Sequence, residues 1–394
     1  MVTTTDIPTR AELVRRAADV APILRKHADW AEENRRLHDE AVEAMAGAGI
    51  FRMRIPARYG GYESDLGTVV AVLKELGRGD GSAGWTASVW WIAGWMTGLF
   101  ADSAQDDVFA TPDVRVCGTL SPAGMAVRQN GGVIMNGRWP YNTGAWHSQW
   151  NVLAAMCQTG DGGMEPIMAL APLSDLDLVD DWNTSALRGS GSISTVAKDV
   201  FIPDERVLST GAMLHEQYGS KHNADAPIYR APLIPTAATT VSGTPIGLAN
   251  AAQEVFFERL PDRHITYTSY DSQSDAPVTH LSAAEAALKT DEAEFHASRA
   301  ASLIDAKSVD GQPLTVDERA RVRADTSMAC RLAKEAVDIL AMSSGASSLY
   351  EDVPMQRFQR DVQGINLHAA MLPNTSLELY GRILCGREPN TMFL

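Results

Sequence analysis

Gly137-Arg138-Trp139-Pro140-Tyr141-Asn142-Thr143-Gly144 lies inside an interval of short apolar runs, and the contrast between that interval and its flanks decides the fold class. From residue 114 to about 201 the runs are cut by Asn130-Gly131, Asn136-Gly137, residues 160–163 and residues 189–191, combinations whose tolerance of positive φ suits hairpins and tight turns. Strands are expected at residues 133–138, 150–157, 167–171 and 195–201.

On both sides of this interval the apolar residues recur with a helical period. Thr9 and Glu12 form a T-x-x-E box ahead of Leu13, Ala17, Val20 and Leu24, so a helix starts there, with Pro22 expected to kink or split it. Leu37, Ala41 and Met45 resume the pattern up to Gly47 and Gly49; Leu66, Val69, Val70, Leu73 and Leu76 mark the next amphipathic helix. Residues 81–101 carry no charge and are long enough to span a bilayer. Trp85, Trp90, Trp91 and Trp95 sit through the middle of that stretch, whereas membrane tryptophans gather at the two interfaces, so a buried helix is the expectation.

Residues 211–235, with Pro227, Pro232 and Pro235, read as a connecting loop. An alanine-rich helical run then reaches Leu260. Leu281, Leu288 and Phe295, spaced by seven, are expected to form an inward seam. Thr315 and Glu318 make a second capping box for a helix that carries Val322, Ala329, Leu332, Ala336 and Leu340 inward and ends near Gly345. The expected class is α+β, mostly α: a helical domain over residues 1–112, a β barrel or sandwich over 113–210, and a loop with a C-terminal four-helix bundle over 211–394.

A chain of 394 residues with 45% hydrophobic content can bury a large core. Its formal net charge of -15 argues against nucleic acid, which needs a basic stripe, and equally against anionic membranes. Cys117, Cys157, Cys330 and Cys385 form no C-x-x-C pair, so neither a zinc site nor a disulfide framework is indicated, and a reducing cytoplasm is expected. The first ten residues hold Thr3, Thr4, Thr5 and Asp6 where an export signal would be basic and then apolar. Gly79-Asp80-Gly81-Ser82-Ala83-Gly84 matches G-x-G-x-x-G, but a helical pattern precedes it and Asp80 would aim a carboxylate at a pyrophosphate, so it reads as a turn between helices. The sequence contains no Walker A run, G-x-S-x-G elbow or H-E-x-x-H pair.

Other runs point elsewhere. They are Pro56-x-x-Tyr59-Gly60-Gly61; Glu75-Leu76-x-Arg78 with Asp80-x-Ser82-x-x-Trp85; Leu187-Arg188-Gly189-Ser190-Gly191-Ser192 before Val200-Phe201-Ile202-Pro203; and Arg360-Asp361. In this order they resemble the acyl-CoA dehydrogenase fold over nearly the whole chain. Within it the sequence is more similar to the two-component, flavin-dependent monooxygenases, which share Trp-Pro-x-x-(Ser/Thr)-Gly and Arg-Asp followed by a histidine, here Trp139 to Gly144 and Arg360 to His368. The Gly-Ser-Asp turn of the dehydrogenases is absent, residues 119–124 reading Thr-Leu-Ser-Pro-Ala-Gly. His368 stands in the C-terminal segment where dehydrogenases usually carry a glutamate base.

The resemblance implies that Ser121, Trp139 and Thr143 line an isoalloxazine ring, with the Thr143 hydroxyl near N5, and that Trp182 lies beside it. It implies Arg263 as a phosphate contact and Ser344-Gly345 as a turn touching the flavin of a neighbouring subunit. His368 becomes the base or proton donor, which Asp361 either orients or leaves alone while capping or pairing with an arginine. The implied chemistry is hydroxylation of an aromatic or polycyclic molecule, phenol- or indole-like, through a flavin C4a-hydroperoxide. Reduced FAD, preferred over reduced FMN, would come from a separate NAD(P)H-flavin reductase, with O2 as co-substrate and a homotetramer as the assembly. Many phenol hydroxylases of the group carry a histidine in the tryptophan helix where this chain has Ala93, a departure from a phenolate-specific mechanism. Rival readings are an N-hydroxylase of an amino sugar, an acyl-CoA dehydrogenase and a non-catalytic flavin-binding helper.

Overall fold

The computed structural model describes residues 7–159 and 162–394; Thr3 to Asp6, and two residues of the turn expected at 160–163, lie outside the described residues. Five helices come first: α1 (Arg10–Asn34), α2 (Asp39–Gly47), α3 (Leu66–Gly79), α4 (Gly81–Thr97) and α5 (Asp102–Val108). The Thr9 hydroxyl accepts the Glu12 N–H at 3.3 Å and starts α1, while the Glu12 carboxylate turns to Arg16. Pro22 does not split this helix as expected. Leu13, Ala17, Val20 and Leu24 bury one face of it against α3 and its neighbours, and that burial outweighs a proline cost of roughly 3 kcal/mol.

Asp80 ends α3 and caps α4, its carboxylate accepting the Ala83 N–H at 2.8 Å. The surrounding glycines serve helix packing: a Cβ on Gly77 would lie 2.7 Å from the Thr244 carbonyl oxygen, and one on Gly84 3.0 Å from the Gly77 Cα. In α4 only Val89 and Ile92 are partly accessible, so the tryptophan helix is buried on all sides. Among the described residues no helix is long and apolar enough to cross a membrane.

Eight strands follow: β1 (Val116–Gly118), β2 (Gly124–Gln129), β3 (Gly132–Asn142), β4 (Trp150–Gln158), β5 (Met164–Pro172), β6 (Asp177–Val179), β7 (Ile193–Pro203) and β8 (Val207–Ser209). They pair in the order β6-β7-β3-β2-β4-β5-β8, with β1 and β2 both running parallel to β4. The short strands β1, β2, β6 and β8 escape a reading by apolar runs because three of them span three residues and the other, β2, is mostly exposed.

Trp139 lies inside this domain, not on its surface. Its side chain is fully buried with Met135, Leu153 and Ala169, and its indole N–H donates to the Ala154 carbonyl at 2.6 Å. The paired Gly124 and Gly137 make room for the ring, since a Cβ on Gly124 would meet Trp139 Cζ2 at 2.2 Å. In the single chain the ring has no exposed face, so a cofactor contact at Trp139 would require its surroundings to open.

The remaining helices are α6 (Thr210–Leu214), α7 (Leu233–Val241), α8 (Gly243–Arg259), α9 (Pro277–Asp310), α10 (Val316–Ser343), α11 (Met355–Asn366) and α12 (Pro373–Leu384). Thr315 and Glu318 cap α10 reciprocally, at 3.2 and 2.8 Å. The seam expected on α9 is reversed: Leu281, Leu288 and Phe295 are 73%, 67% and 59% exposed, and Ala286, Ala293, Ala297, Ala300 and Ile304 face inward. Small residues let the backbones of α9 and α10 approach closely, so the alanine face takes the interior.

Candidate active site

Thr143 is delivered by a bulge. The β3–β7 register shifts between Trp139 and Asn142, and Tyr141 takes a left-handed conformation (φ 62), which turns its ring out to solvent and Thr143 inward. Gly144 follows at φ 73, and a side chain there would strike the Trp90 indole, with Cβ 2.5 Å from Nε1. The Gly144 N–H donates to the Ser190 carbonyl at 2.9 Å, which seats the bulge on the 187–192 turn.

This contact builds a buried row of hydroxyls. Thr143 Oγ1 lies 2.7 Å from Ser192 Oγ, and Ser192 Oγ lies 2.7 Å from Ser190 Oγ. Trp85 donates its indole N–H to Thr143 Oγ1 at 3.3 Å. When Ser190 donates to Ser192 and Ser192 to Thr143, the Thr143 oxygen accepts twice and its own proton is free for a ligand. The other α4 tryptophans serve structure: Trp90 donates to Ser148 Oγ, Trp91 to the Ile50 carbonyl and Trp95 to the Ile228 carbonyl.

His368 closes the same cluster from the C-terminal side. It sits in the turn after α11, its ring 5.1 Å from Trp85 and edge-on to it at 66°. Nδ1 accepts the Ala370 N–H at 3.3 Å, leaving Nε2 free for other partners. The side chain is open to solvent yet lies in a concave wall crowded by protein atoms, and that desolvation holds its pKa below the usual imidazole value.

Asp361 does not orient His368. Its Oδ1 accepts the Leu187 N–H at 2.6 Å, and Trp182 donates its indole N–H to the Leu187 carbonyl at 2.9 Å. Trp182 is half-buried and meets exposed Tyr141 edge to face at 6.0 Å, an aromatic corner beside the bulge. Ser121 is exposed in the bend between β1 and β2.

Arg263, Ser344 and Gly345 form a separate group. Arg263 donates to the Ser344 carbonyl, to Ser347 Oγ at 2.6 Å and to Gln273 Oε1 at 3.0 Å, and a Cβ on Gly345 would lie 3.5 Å from its Nη2. Arg259 adjoins it, with Nη1 buried and unpartnered, and among the described residues neither arginine has a carboxylate partner. Burial and Arg259 together hold the Arg263 pKa below the usual guanidinium value. No bond joins this group to the Thr143 cluster within the described chain.

Sequence reasoning gave no role to Ser190 and Ser192, and read the tryptophans of residues 85–95 mostly as packing, with one or two lining an apolar substrate pocket. The runs holding them were visible, but nothing local distinguishes a site serine from a turn serine.

Comparison with known proteins agrees with this architecture. Residues 10–112 match the family described as acyl-CoA dehydrogenase, N-terminal domain, and residues 239–373 match acyl-CoA dehydrogenase, C-terminal domain. The chain is 31% identical over 369 residues to the flavin-dependent monooxygenase, oxygenase subunit HsaA, of Rhodococcus jostii, covering 93% of this chain and 97% of that one. It is 29% identical to the oxygenase component of an FADH2-dependent resorcinol hydroxylase from Rhizobium, covering 97% and 96%. Among solved structures, XiaF from Streptomyces in complex with FADH2 and glycerol superposes with a TM-score of 0.91 at 32% identity, covering 97% of each chain.

Proposed function

This chain belongs to the flavin-dependent monooxygenases of the acyl-CoA dehydrogenase fold, as an oxygenase component, and from that premise we propose that it hydroxylates a phenol- or indole-like aromatic or polycyclic molecule with reduced FAD and O2. The observation that carries the site assignment is the convergence of His368, Trp85 and Thr143 from three distant parts of the chain. A separate NAD(P)H-dependent reductase supplies the reduced flavin.

The residues present fit a flavin. In the arrangement where Ser192 donates to Thr143, the Thr143 proton suits an acceptor on the polar edge of the ring, and the Tyr141–Trp182 corner offers aromatic surface beside it. The uncompensated Arg259–Arg263 pair, with Gln273, Ser344 and Gly345, suits a diphosphate. Because that pair is not joined to the Thr143 cluster within one chain, and because Val278, Leu281, Leu288 and Phe295 present an apolar stripe to solvent, we assign the pair to the flavin of a neighbouring subunit in a homotetramer.

When bound, reduced FAD would supply the two electrons with which one atom of O2 enters the aromatic ring and the other leaves as water. The protein's part is proton management and exclusion of water. A neutral imidazole at His368, kept neutral by its depressed pKa, takes the phenol O–H or indole N–H proton as the ring is attacked, which makes the carbon electron-rich when it must be. Trp85 holds Thr143 in place and shares the wall with His368, so substrate base and flavin-facing hydroxyl are set by one side chain. Ala93, buried, offers no second base, so we assign substrate deprotonation to His368 alone.

The test supplies the purified protein with FAD, NADH, a flavin reductase and 18O2, and screens phenols and indoles by mass spectrometry. One 18O atom in a product is expected. Oxygen consumed only as peroxide across the panel, together with bleaching of oxidised flavin by an acyl-CoA without reductase, would overturn the reading in favour of a dehydrogenase.

A further inference from the structure

We propose that Asp361 is a positioning residue for this site: bonded to the Leu187 amide and packed on the first turn of α4 beside Asp80, it holds Trp182 and the Ser190–Ser192–Thr143 row in register. The inference rests on the reading of that row as flavin-facing.

Leu187 is the pivot. It adopts φ 50, a left-handed conformation that costs a branched L-residue about 1 kcal/mol or more, so something must hold it. Its N–H goes to Asp361 at 2.6 Å; its carbonyl accepts the Trp182 indole at 2.9 Å and the Ser190 N–H at 3.1 Å. Asp361 therefore fixes both the aromatic corner and the start of the turn that carries the serines. The turn is backed by α1, since a Cβ on Gly189 would lie 2.9 Å from the Ala31 Cβ, and Arg188 donates to the Glu32 carbonyl at 3.0 Å; the Asp361 bond holds the turn's entry at Leu187.

The other oxygen of Asp361 faces α4. A Cβ on Gly81 would sit 3.0 Å from Asp361 Oδ2, so the carboxyl reaches the helix only because residue 81 is glycine. Asp80 caps that same helix, and Trp85 follows one turn later. One carboxyl thus bonds the 187–192 turn to α11 and packs against the first turn of α4, the three elements that present the serines, His368 and Trp85.

The charges around it are unbalanced. Facing Asp361 are Asp80 at the α3–α4 junction and Arg357 and Arg360 on its own helix, whose guanidinium groups are shared with Asp29 and Glu32 on α1. Arg357 pairs with Asp29 and lies 3.8 Å from Glu32; Arg360 pairs with Glu32 at 2.6 Å and donates to the Ser185 carbonyl. Neither arginine bonds Asp361, and four carboxylates share two guanidinium groups. Burial first, and then Asp80, push the Asp361 pKa up to about 7, against the opposing pull of the Leu187 N–H and the arginines. Around neutral pH the group exchanges a proton, and its ionised form repels Asp80 across Gly81.

The sign of the pH effect follows. An unfolded aspartate titrates near about 3.9, so between about pH 4 and 7 the folded state holds a proton that the unfolded state has lost. Stability therefore falls as pH rises through that window and levels off above it.

The test needs no flavin turnover. Amide hydrogen exchange of the flavin-free protein at one pH is compared for wild type, Asp361→Ala and Asp361→Asn, alongside melting curves from pH 5 to 8.5. Asp361→Ala should speed exchange over residues 187–192 by about tenfold or more, while Asp361→Asn, which keeps an acceptor oxygen, stays within about threefold. The melting temperature of Asp361→Asn should fall less from pH 5 to 7 than that of wild type. Oxidised FAD, titrated by fluorescence, should bind Asp361→Ala about tenfold more weakly. Equal exchange in Asp361→Ala and wild type, or an unchanged pH slope in Asp361→Asn, overturns the proposal; should the alanine variant not fold, the asparagine slope decides. Failure of the wild type to oxygenate any phenol or indole, with the exchange pattern intact, would sink the monooxygenase reading and leave the positioning role standing as structure.

Discussion

Trp139 in the β-domain interior and Trp85 at the seam between that domain and the helices are both almost wholly buried, and both donate an indole N–H. The acceptors differ. Trp139 gives its proton to the Ala154 carbonyl, a backbone group already committed to the fold, whereas Trp85 gives it to the hydroxyl of Thr143, which can also turn to a ligand. Burial and residue type do not separate a structural aromatic from a site aromatic; the nature of the bonded partner does. The two regions are joined by four residues of β3 and one bulge, so the same short motif supplies a buried ring at Trp139 and the hydroxyl of Thr143 that the proposed site uses.

The widest gap between these regions should appear with Trp139→Ala. Removing the ring leaves a cavity over Gly124 and Gly137, a loss of about 3–5 kcal/mol in urea unfolding. A loss below about 1 kcal/mol would break the comparison, because it would deny Trp139 its anchoring role.

His368→Ala should do the opposite. Hydroxylation should slow by roughly 100-fold or more while the unfolding free energy stays within about 1 kcal/mol, because the ring is solvent-accessible. The wild-type rate should fall only as pH drops through a value below the ordinary imidazole pKa, since protonation removes the base and the crowding of protein atoms around the ring lowers the pKa at which this happens. That acid limb should vanish in the alanine variant; a limb that persists would assign it to another group.

Thr143→Val should cost about tenfold in reduced-flavin affinity, because Trp85 and Ser192 lose their acceptor and the flavin its donor. Thr143→Ser should restore most of it. A valine variant with unchanged affinity would move Thr143 to the structural side of the comparison.

The smallest effect on the single chain belongs to Leu281→Lys with Leu288→Lys. Both residues are exposed, so folding should change by no more than about 0.5 kcal/mol. Light scattering should nonetheless report a smaller particle than wild type. An unchanged particle would mean that α9 is not the assembly surface.

Much of this was legible in the order of residues. The helical periods of α1, α3 and α10, the two capping residues Thr9 and Thr315, the glycine-rich hairpin signals and the four main strands follow from local chemistry acting over three to eight residues. So does the rejection of Gly79 to Gly84 as a nucleotide loop. His368 and Thr143 were legible only because runs around them resemble a family's, since a lone histidine or hairpin threonine carries no local mark of function.

Tertiary structure decided sidedness and partnership. Seven-residue spacing placed Leu281, Leu288 and Phe295 on one stripe of α9, but whether that stripe or the alanine stripe faced inward depended on how closely α9 and α10 could approach. A bulge of the β3–β7 ladder, invisible to a period of two, sent Trp139 and Thr143 to different environments. The partner of Asp361 lies 174 residues away in the chain. Local sequence sets what each side chain can bond to, but which acceptor it meets is fixed by contacts whose chain separation no periodicity records.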